Sequence, residues 1–285
     1  IENDEFNLSQ DFYKQKEKTW NRVDSLINKG AEIIDAHGHF GINGKWAMDI
    51  KDYDTQVETA RMKMEELNIK QMIISSAQAL YTEAYEGNNY LEKSLLKYGN
   101  QFKGYLSYNP FSVSKMSEEL DNFFSRDFYI GFKLLCDYWK VPVTDKRFDT
   151  VWRYANEHRL PILLHTWTGS YSSPAMLKDI VKKYPDAIFI LGHSGGSDIG
   201  RYEAEELAMN NGNVYLEWCG SFCSTVLWEE TIKKVGNQKI IFGTDSAYHN
   251  PAYELGRLLT LDVEEEAIIP ILGTNMRKIM NRRKK

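Results

Sequence analysis

The chain carries six histidines, at positions 37, 39, 158, 165, 193 and 249. Four of them, with Asp245, stand just past short apolar runs. In His37-Gly38-His39 the two-residue spacing puts both imidazoles on one side of an extended backbone, so both can reach one ion. Gly38 between them lets backbone or substrate approach closely. His165 ends the run Pro161-Ile162-Leu163-Leu164, and Asp245 follows Ile240-Ile241-Phe242-Gly243-Thr244. Three imidazoles and a carboxylate make a nitrogen and oxygen shell that suits one divalent metal. Zinc is the first expectation, with manganese, iron or nickel as alternatives. A coordination position left to water would make such a site catalytic rather than structural.

Each fragment alone has a duller reading. His-x-His can be a hydrogen-bonded turn, His165 a satisfied strand-end residue, and Asp245 a helix cap. His193, in Leu191-Gly192-His193-Ser194-Gly195-Gly196, can cap a turn. The shared position decides, because all five residues fall one step beyond an apolar run. His158 lies at the end of an expected helix and reads as structural. His249 sits in the loop after the last run and reads first as packing or solvated, second as a substrate contact.

The elements that must position these residues repeat with one rhythm. Eight runs rich in Ile, Val, Leu, Phe and Tyr occur at 32–36, 71–75, 104–108, 130–135, 161–165, 188–192, 214–217 and 239–243. Near-continuous apolar character marks parallel strands buried on both faces. Helical patterns fall between them, at 55–67, 89–98, 114–124, 148–157, 174–183, 201–210 and 223–235. Two more, 252–260 and 274–283, follow the last run. Eight such units in 285 residues predict an α/β fold, a single (β/α)8 barrel spanning 31–285. A doubly wound sheet would place a G-x-G-x-x-G turn after an early strand, and none is present. Residues 1–30 are expected to form a helical extension, with an amphipathic helix over 10–28 closed by Gly30. All strand C-termini of a barrel ring one face, so the scattered histidines and Asp245 would converge there.

Bulk properties narrow the class. The hydrophobic fraction is 42%, the charged fraction 26% and the formal net charge −5. These values suit a globular protein with a small-molecule substrate and give no electrostatic footprint for nucleic acid or anionic membrane. No apolar stretch is long enough to span a bilayer, and the first 30 residues lack the apolar core of a signal peptide. Cys136, Cys219 and Cys223 do not make a disulfide framework and are expected to be reduced structural thiols in a cytoplasmic protein. The chain starts at Ile1, which leaves the completeness of the N-terminus open. The basic end, Arg282-Arg283-Lys284-Lys285, reads as a helix C-terminus fraying into water.

The sequence resembles the amidohydrolase superfamily, in its amidohydrolase-related (amidohydrolase 2) branch of metal-dependent barrel hydrolases and decarboxylases. The likeness rests on Ile33-Ile34-Asp35-Ala36-His37-Gly38-His39, Gly131-Phe132-Lys133, Pro161 to His165, Leu191-Gly192-His193, Ile241 to Ser246 and Ile271-Leu272-Gly273-Thr274-Asn275. It spans roughly 31–283. It implies that His37, His39, His165 and Asp245 are metal ligands. It implies that His193 polarises substrate or shuttles protons, and that Asp245 doubles as general base. Some superfamily members carry a carbamylated lysine at the end of strand 4 that bridges two metals. The branch resembled here more usually has one, so Lys133 is expected to orient substrate or to be structural, with the bridged pair as the lesser alternative.

The leading expectation is hydrolysis of a C–N or C–O bond by metal-activated water. The alternative keeps the site and changes the reaction to non-oxidative decarboxylation of an aromatic or unsaturated acid. A barrel that has lost catalysis and only binds a ligand is the third reading. Aromatic residues crowd the expected mouth loops, among them Trp46, Trp139, Trp167 and Trp218, with Tyr138, Tyr171 and Tyr248. They suit a flat substrate and suit loop packing nearly as well. Lys133, Trp46, Trp139, Trp167, Arg201 and His249 are the candidate substrate contacts, Arg201 for a carboxylate. Glu217 is a candidate to stand behind the metal ligands or Lys133. A homodimer is compatible with such a barrel.

Overall fold

A computed structural model describes residues 2–41, 52–220 and 224–284. Trp46 and Cys223 lie outside them. Eight parallel strands form one sheet in chain order: β1 Ile33–Phe40, β2 Ile69–Ser76, β3 Phe102–Ser107, β4 Tyr129–Leu134, β5 Pro161–His165, β6 Ile188–Gly192, β7 Val214–Glu217 and β8 Ile240–Ile241. The first and last strands meet. Ala36 N–H donates to the Phe242 carbonyl at 3.1 Å, and Gly38 pairs in parallel with Ser246. The expected (β/α)8 barrel is therefore present, with helices between successive strands.

Two apolar layers fill it. Ile34, Ala36, Ile73, Tyr105, Leu163 and Ile190 belong to one buried cluster, the barrel interior. A larger cluster, including Met72, Phe132, Leu164 and Phe189, packs the outer strand faces against the helices. Alternation along each strand sorts the residues between these layers.

β1 runs through His37 and His39 instead of stopping before them. Its register against β2 slips between Asp35 and Gly38. Strict alternation would place Gly38 with Ile34 and Ala36; the irregularity resets the parity, so that His37 and His39 reach inward.

The helix expected over 114–124 is two, Val113–Glu118 and Leu120–Ser125, broken at Glu119 (φ −100°, ψ 0°). The N-terminal helix, Glu2–Asn28, is longer than its apolar pattern indicated. Arg22 fixes it to the body by donating to the carbonyls of Leu259 and Leu261, at 2.8 and 2.7 Å, and to that of Val263. No helix among the described residues is long and apolar enough to cross a membrane.

Candidate metal centre

The side chains of His37, His39 and Asp245 meet at the C-terminal end of the barrel. His37 Nε2 lies 3.2 Å from His39 Nε2 and 3.5 Å from Asp245 Oδ1, and His39 Nε2 lies 3.1 Å from that oxygen. Ligand atoms about 2.0–2.1 Å from a tetrahedral ion stand roughly 3.3 Å apart. The three atoms match such an edge length, and all three residues are buried.

Hydrogen bonding fixes which ring atom of His37 is free to bind. Its Nδ1 faces Glu217 Oε2 at 3.0 Å. Burial pushes the Glu217 carboxyl up, but His37, His193 and the Cys219 thiol outweigh this and hold it at about 2. An ionised carboxylate only accepts, so His37 carries its proton on Nδ1 and presents a lone pair at Nε2. Burial also lowers the pKa of His37, in keeping with a neutral ring. His39 is driven down to about 3, chiefly by burial, against its bond to Asp245. Burial pushes Asp245 up, but His37 and His39 hold it well below the usual carboxylate range.

His193 is fixed in the same way. Its Nδ1 is 2.7 Å from the Cys219 carbonyl oxygen, which can only accept. Nδ1–H is thereby committed, and Nε2 is left as the acceptor. A second group of metal-type donors, His37, His193 and Cys219, also lies close together. Its nitrogens are those engaged with Glu217 and the Cys219 carbonyl, so it forms a hydrogen-bonded floor beneath the first group. Cys219 Sγ lies 3.0 Å from His37 Nδ1 and donates to Glu217 Oε2 at 3.1 Å. The Cys219 N–H meets the other Glu217 oxygen at 2.8 Å. Gly243 makes room for this carboxylate, since a Cβ there would lie 2.4 Å from Glu217 Oε1.

Lys133, wholly buried, places Nζ 2.6 Å from His37 Nε2. Burial lowers its pKa to about 8, against the pull of Asp245, Cys219 and Glu217. A metal ion and an ammonium compete for that lone pair. With metal bound, the lysine must be neutral, carbamylated or turned toward an anion.

His165 stands beside this group. Its ring centroid is 4.6 Å from that of His193, and its Nε2 is 3.5 Å from Asp137 Oδ2. Its nitrogens are not among the mutually close donor atoms of His37, His39 and Asp245. His249 Nε2 approaches Asp245 Oδ2 at 3.8 Å. Trp167 lies nearly parallel to His165, with centroids 6.3 Å apart. The structure does not bring Arg201 or Trp139 to the cluster. Arg201 bridges two helices through Glu205, Glu230 and Thr231. Trp139 donates its indole N–H to the Leu80 carbonyl and stacks on Phe148. His158 stacks on Tyr154, and its carbonyl accepts the Lys284 N–H at 3.1 Å.

Three of the six described non-glycine residues with positive φ lie in the same place. Asp245, His193 and Ser194 all adopt positive φ, 55°, 63° and 45°. Left-handed non-glycine residues cost on the order of 1–3 kcal/mol and persist where surrounding contacts over-determine them.

Sequence reasoning missed Cys219, Asp137 and Asp35. Asp35 is fully buried and accepts from Thr244 N and Oγ1 at 3.0 and 2.6 Å and from His37 N at 3.1 Å. Its only sequence signal was its place two residues before His37. Cys219 and Asp137 each follow a strand by two or three residues, the position that betrayed the histidines.

A closed parallel barrel with imidazoles and a carboxylate converging at its C-terminal end defines a class, the metal-dependent barrel enzymes. The amidohydrolase family's sequence model matches residues 34–281. The chain belongs to that family, and is thereby a metal-dependent enzyme, a hydrolase or a carboxy-lyase. No curated protein matches it. Solved structures resemble its fold. The 2,6-dihydroxybenzoate decarboxylase from Rhizobium superposes with a TM-score of 0.68 at 16% identity, covering 88% of this chain and 99% of its own. The 5-carboxyvanillate decarboxylase from Sphingomonas paucimobilis gives 0.68 at 12% identity, over 88% and 99%. The 5-carboxyvanillate decarboxylase from Novosphingobium aromaticivorans, complexed with manganese and 4-hydroxy-3-methoxy-5-nitrobenzoic acid, gives 0.69 at 16%, over 88% and 96%.

One expectation concerns Glu217. Glu217→Gln removes the charge that holds the His37 proton on Nδ1. Metal affinity should fall roughly 10–100-fold with the fold intact. Competition with a chromophoric chelator checks this, and wild-type affinity would separate Glu217 from the metal.

Proposed function

We propose that the protein is a metal-dependent, non-oxidative decarboxylase acting on an aromatic carboxylic acid. The observation that carries this reading is the buried Lys133 amine beside the donor triangle of His37, His39 and Asp245. A site that gathers a metal and a lysine at one point attracts an anion, and a substrate carboxylate is the anion the reaction requires. The three decarboxylases of similar fold, whose described substrates or ligands are aromatic acids, support the same reading.

His37, His39 and Asp245 would hold the ion, with His165 as the further candidate ligand. A divalent metal bound there would supply charge stabilisation to the substrate carboxylate. The donor set does not choose among zinc, manganese, iron and nickel. Lys133 turns its amine to the substrate carboxylate and orients it. His193, with Nδ1–H committed to Cys219, takes up and releases a proton at Nε2 alone. It delivers that proton to the ring carbon bearing the carboxylate. The electron pair of the broken C–C bond returns to the ring, and carbon dioxide leaves.

Hydrolysis is the second reading, favoured by the ionised state of Asp245. A carboxylate kept charged by two histidines suits a general base toward water. The experiment separates the two. Metal-loaded protein is incubated with hydroxylated aromatic acids and, in parallel, with esters, lactones and amides. The expected outcome is carbon dioxide release from one or more of the acids, with about one transition metal per chain by elemental analysis. Turnover confined to the esters, lactones or amides would leave hydrolysis in its place.

A further inference from the structure

We propose that Trp167 is the specificity-determining platform of the site, a rigid indole on which a planar ring of the substrate stacks. This rests on the aromatic-acid reading above and names the residue that would select the ring. Among the described residues Trp167 is the only tryptophan that is substantially exposed, at 40%. Trp139 and Trp218 are buried, the latter stacked on Trp228 at 4.6 Å.

The exposure is not that of a loose loop. The indole rests on Gly196, where an added Cβ would fall 2.1–2.6 Å from three of its ring atoms. Gly196 also has φ +69°, so both space and backbone reserve the position for glycine. The flanking residues are tied to the turn after β6. Thr166 Oγ1 donates to the Gly192 carbonyl at 2.7 Å and accepts from Gly195 N at 3.0 Å. Thr168 N donates to the Gly195 carbonyl at 2.9 Å. A large apolar ring held rigid while left partly open to water forfeits burial, and a ligand that covers it regains part of this.

The position fits the chemistry. The Trp167 ring centroid is 6.2 Å from that of His193, which is 5.4 Å from that of His37. An aromatic acid lying on the indole is thus beside the proton-transfer residue, whose ring in turn neighbours His37 of the donor triangle. Offset stacking adds affinity beyond area, up to about tenfold, and a saturated ring of the same outline loses it.

The test uses two neutral probes that need no turnover, resorcinol and cyclohexane-1,3-diol, titrated calorimetrically into the metal-loaded full chain. Wild type should bind resorcinol about tenfold tighter than the diol. Trp167→Ala should weaken resorcinol about tenfold and the diol by no more than about threefold, while Trp167→Phe should stay within about threefold of wild type. Equal weakening of both probes, an unchanged resorcinol affinity in Trp167→Ala, or no discrimination by wild type would overturn the platform. Carbon dioxide release is scored separately. Trp167-dependent resorcinol binding without decarboxylation keeps the platform and removes the reaction; decarboxylation with indifference to Trp167→Ala does the reverse.

Discussion

His37→Ala is expected to lose the bound metal and, with it, at least roughly a thousandfold of kcat/KM. The residue sits where five groups converge. Its Nε2 faces His39, Asp245 and Lys133, and its Nδ1 faces Glu217 and Cys219. Alanine removes one proposed ligand and also leaves the buried amine of Lys133 without its partner. Glu217 keeps two bonds from Cys219, so the floor of the site survives in part. The barrel should remain folded, because His37 contributes no apolar packing between strands and helices. Elemental analysis and activity, read beside far-ultraviolet circular dichroism, check this. A variant with full metal content and wild-type turnover would remove the proposed centre. His158→Ala, at the opposite end of the barrel, should stay close to wild type in both.

Asp35→Ala should cost about 3 kcal/mol or more of stability. The carboxylate is fully buried and receives three donors, two from Thr244 and one from His37. Each buried donor left unsatisfied costs on the order of 1–3 kcal/mol. The two from Thr244 join the first strand to the segment after the last, so their loss opens the seam where the barrel closes. Burial pushes the Asp35 pKa up to about 7, against the pull of the same bonds. Asp35→Asn should fall between, since an amide keeps one acceptor and sets its NH2 against a donor. Urea unfolding measures both, and an unchanged midpoint for Asp35→Ala would refute the role in closure. Activity should fall too, because Thr244 directly precedes Asp245.

Much of this protein is written in its sequence. Eight apolar runs separated by helical patterns, with no G-x-G-x-x-G turn after an early one, point to a parallel barrel, and a barrel requires its strand ends to share one face. From that alone His37, His39 and Asp245 are drawn toward one another, because the two-residue strand period and the fold's topology act over any sequence distance. The edges of elements were less legible. β1 runs on through both histidines because Gly38, His39 and Phe40 pair with Ile74, Ser75 and Ser76 of β2 and Gly38 also meets Ser246, contacts that no local pattern contains.

The partners of each side chain were decided only by the folded chain. Register across the barrel brings Glu217 to His37 over 180 residues, Lys133 over 96 and Thr244 to Asp35 over 209. The same tertiary placement commits Arg201 to Glu205 and the Trp139 indole to a backbone carbonyl. It leaves Trp167 open on its glycine seat. Hydrophobic periodicity sets which face a residue takes. Which polar atom it meets there depends on strand stagger and loop geometry to within an ångström, and those arise only when all eight strands are packed together.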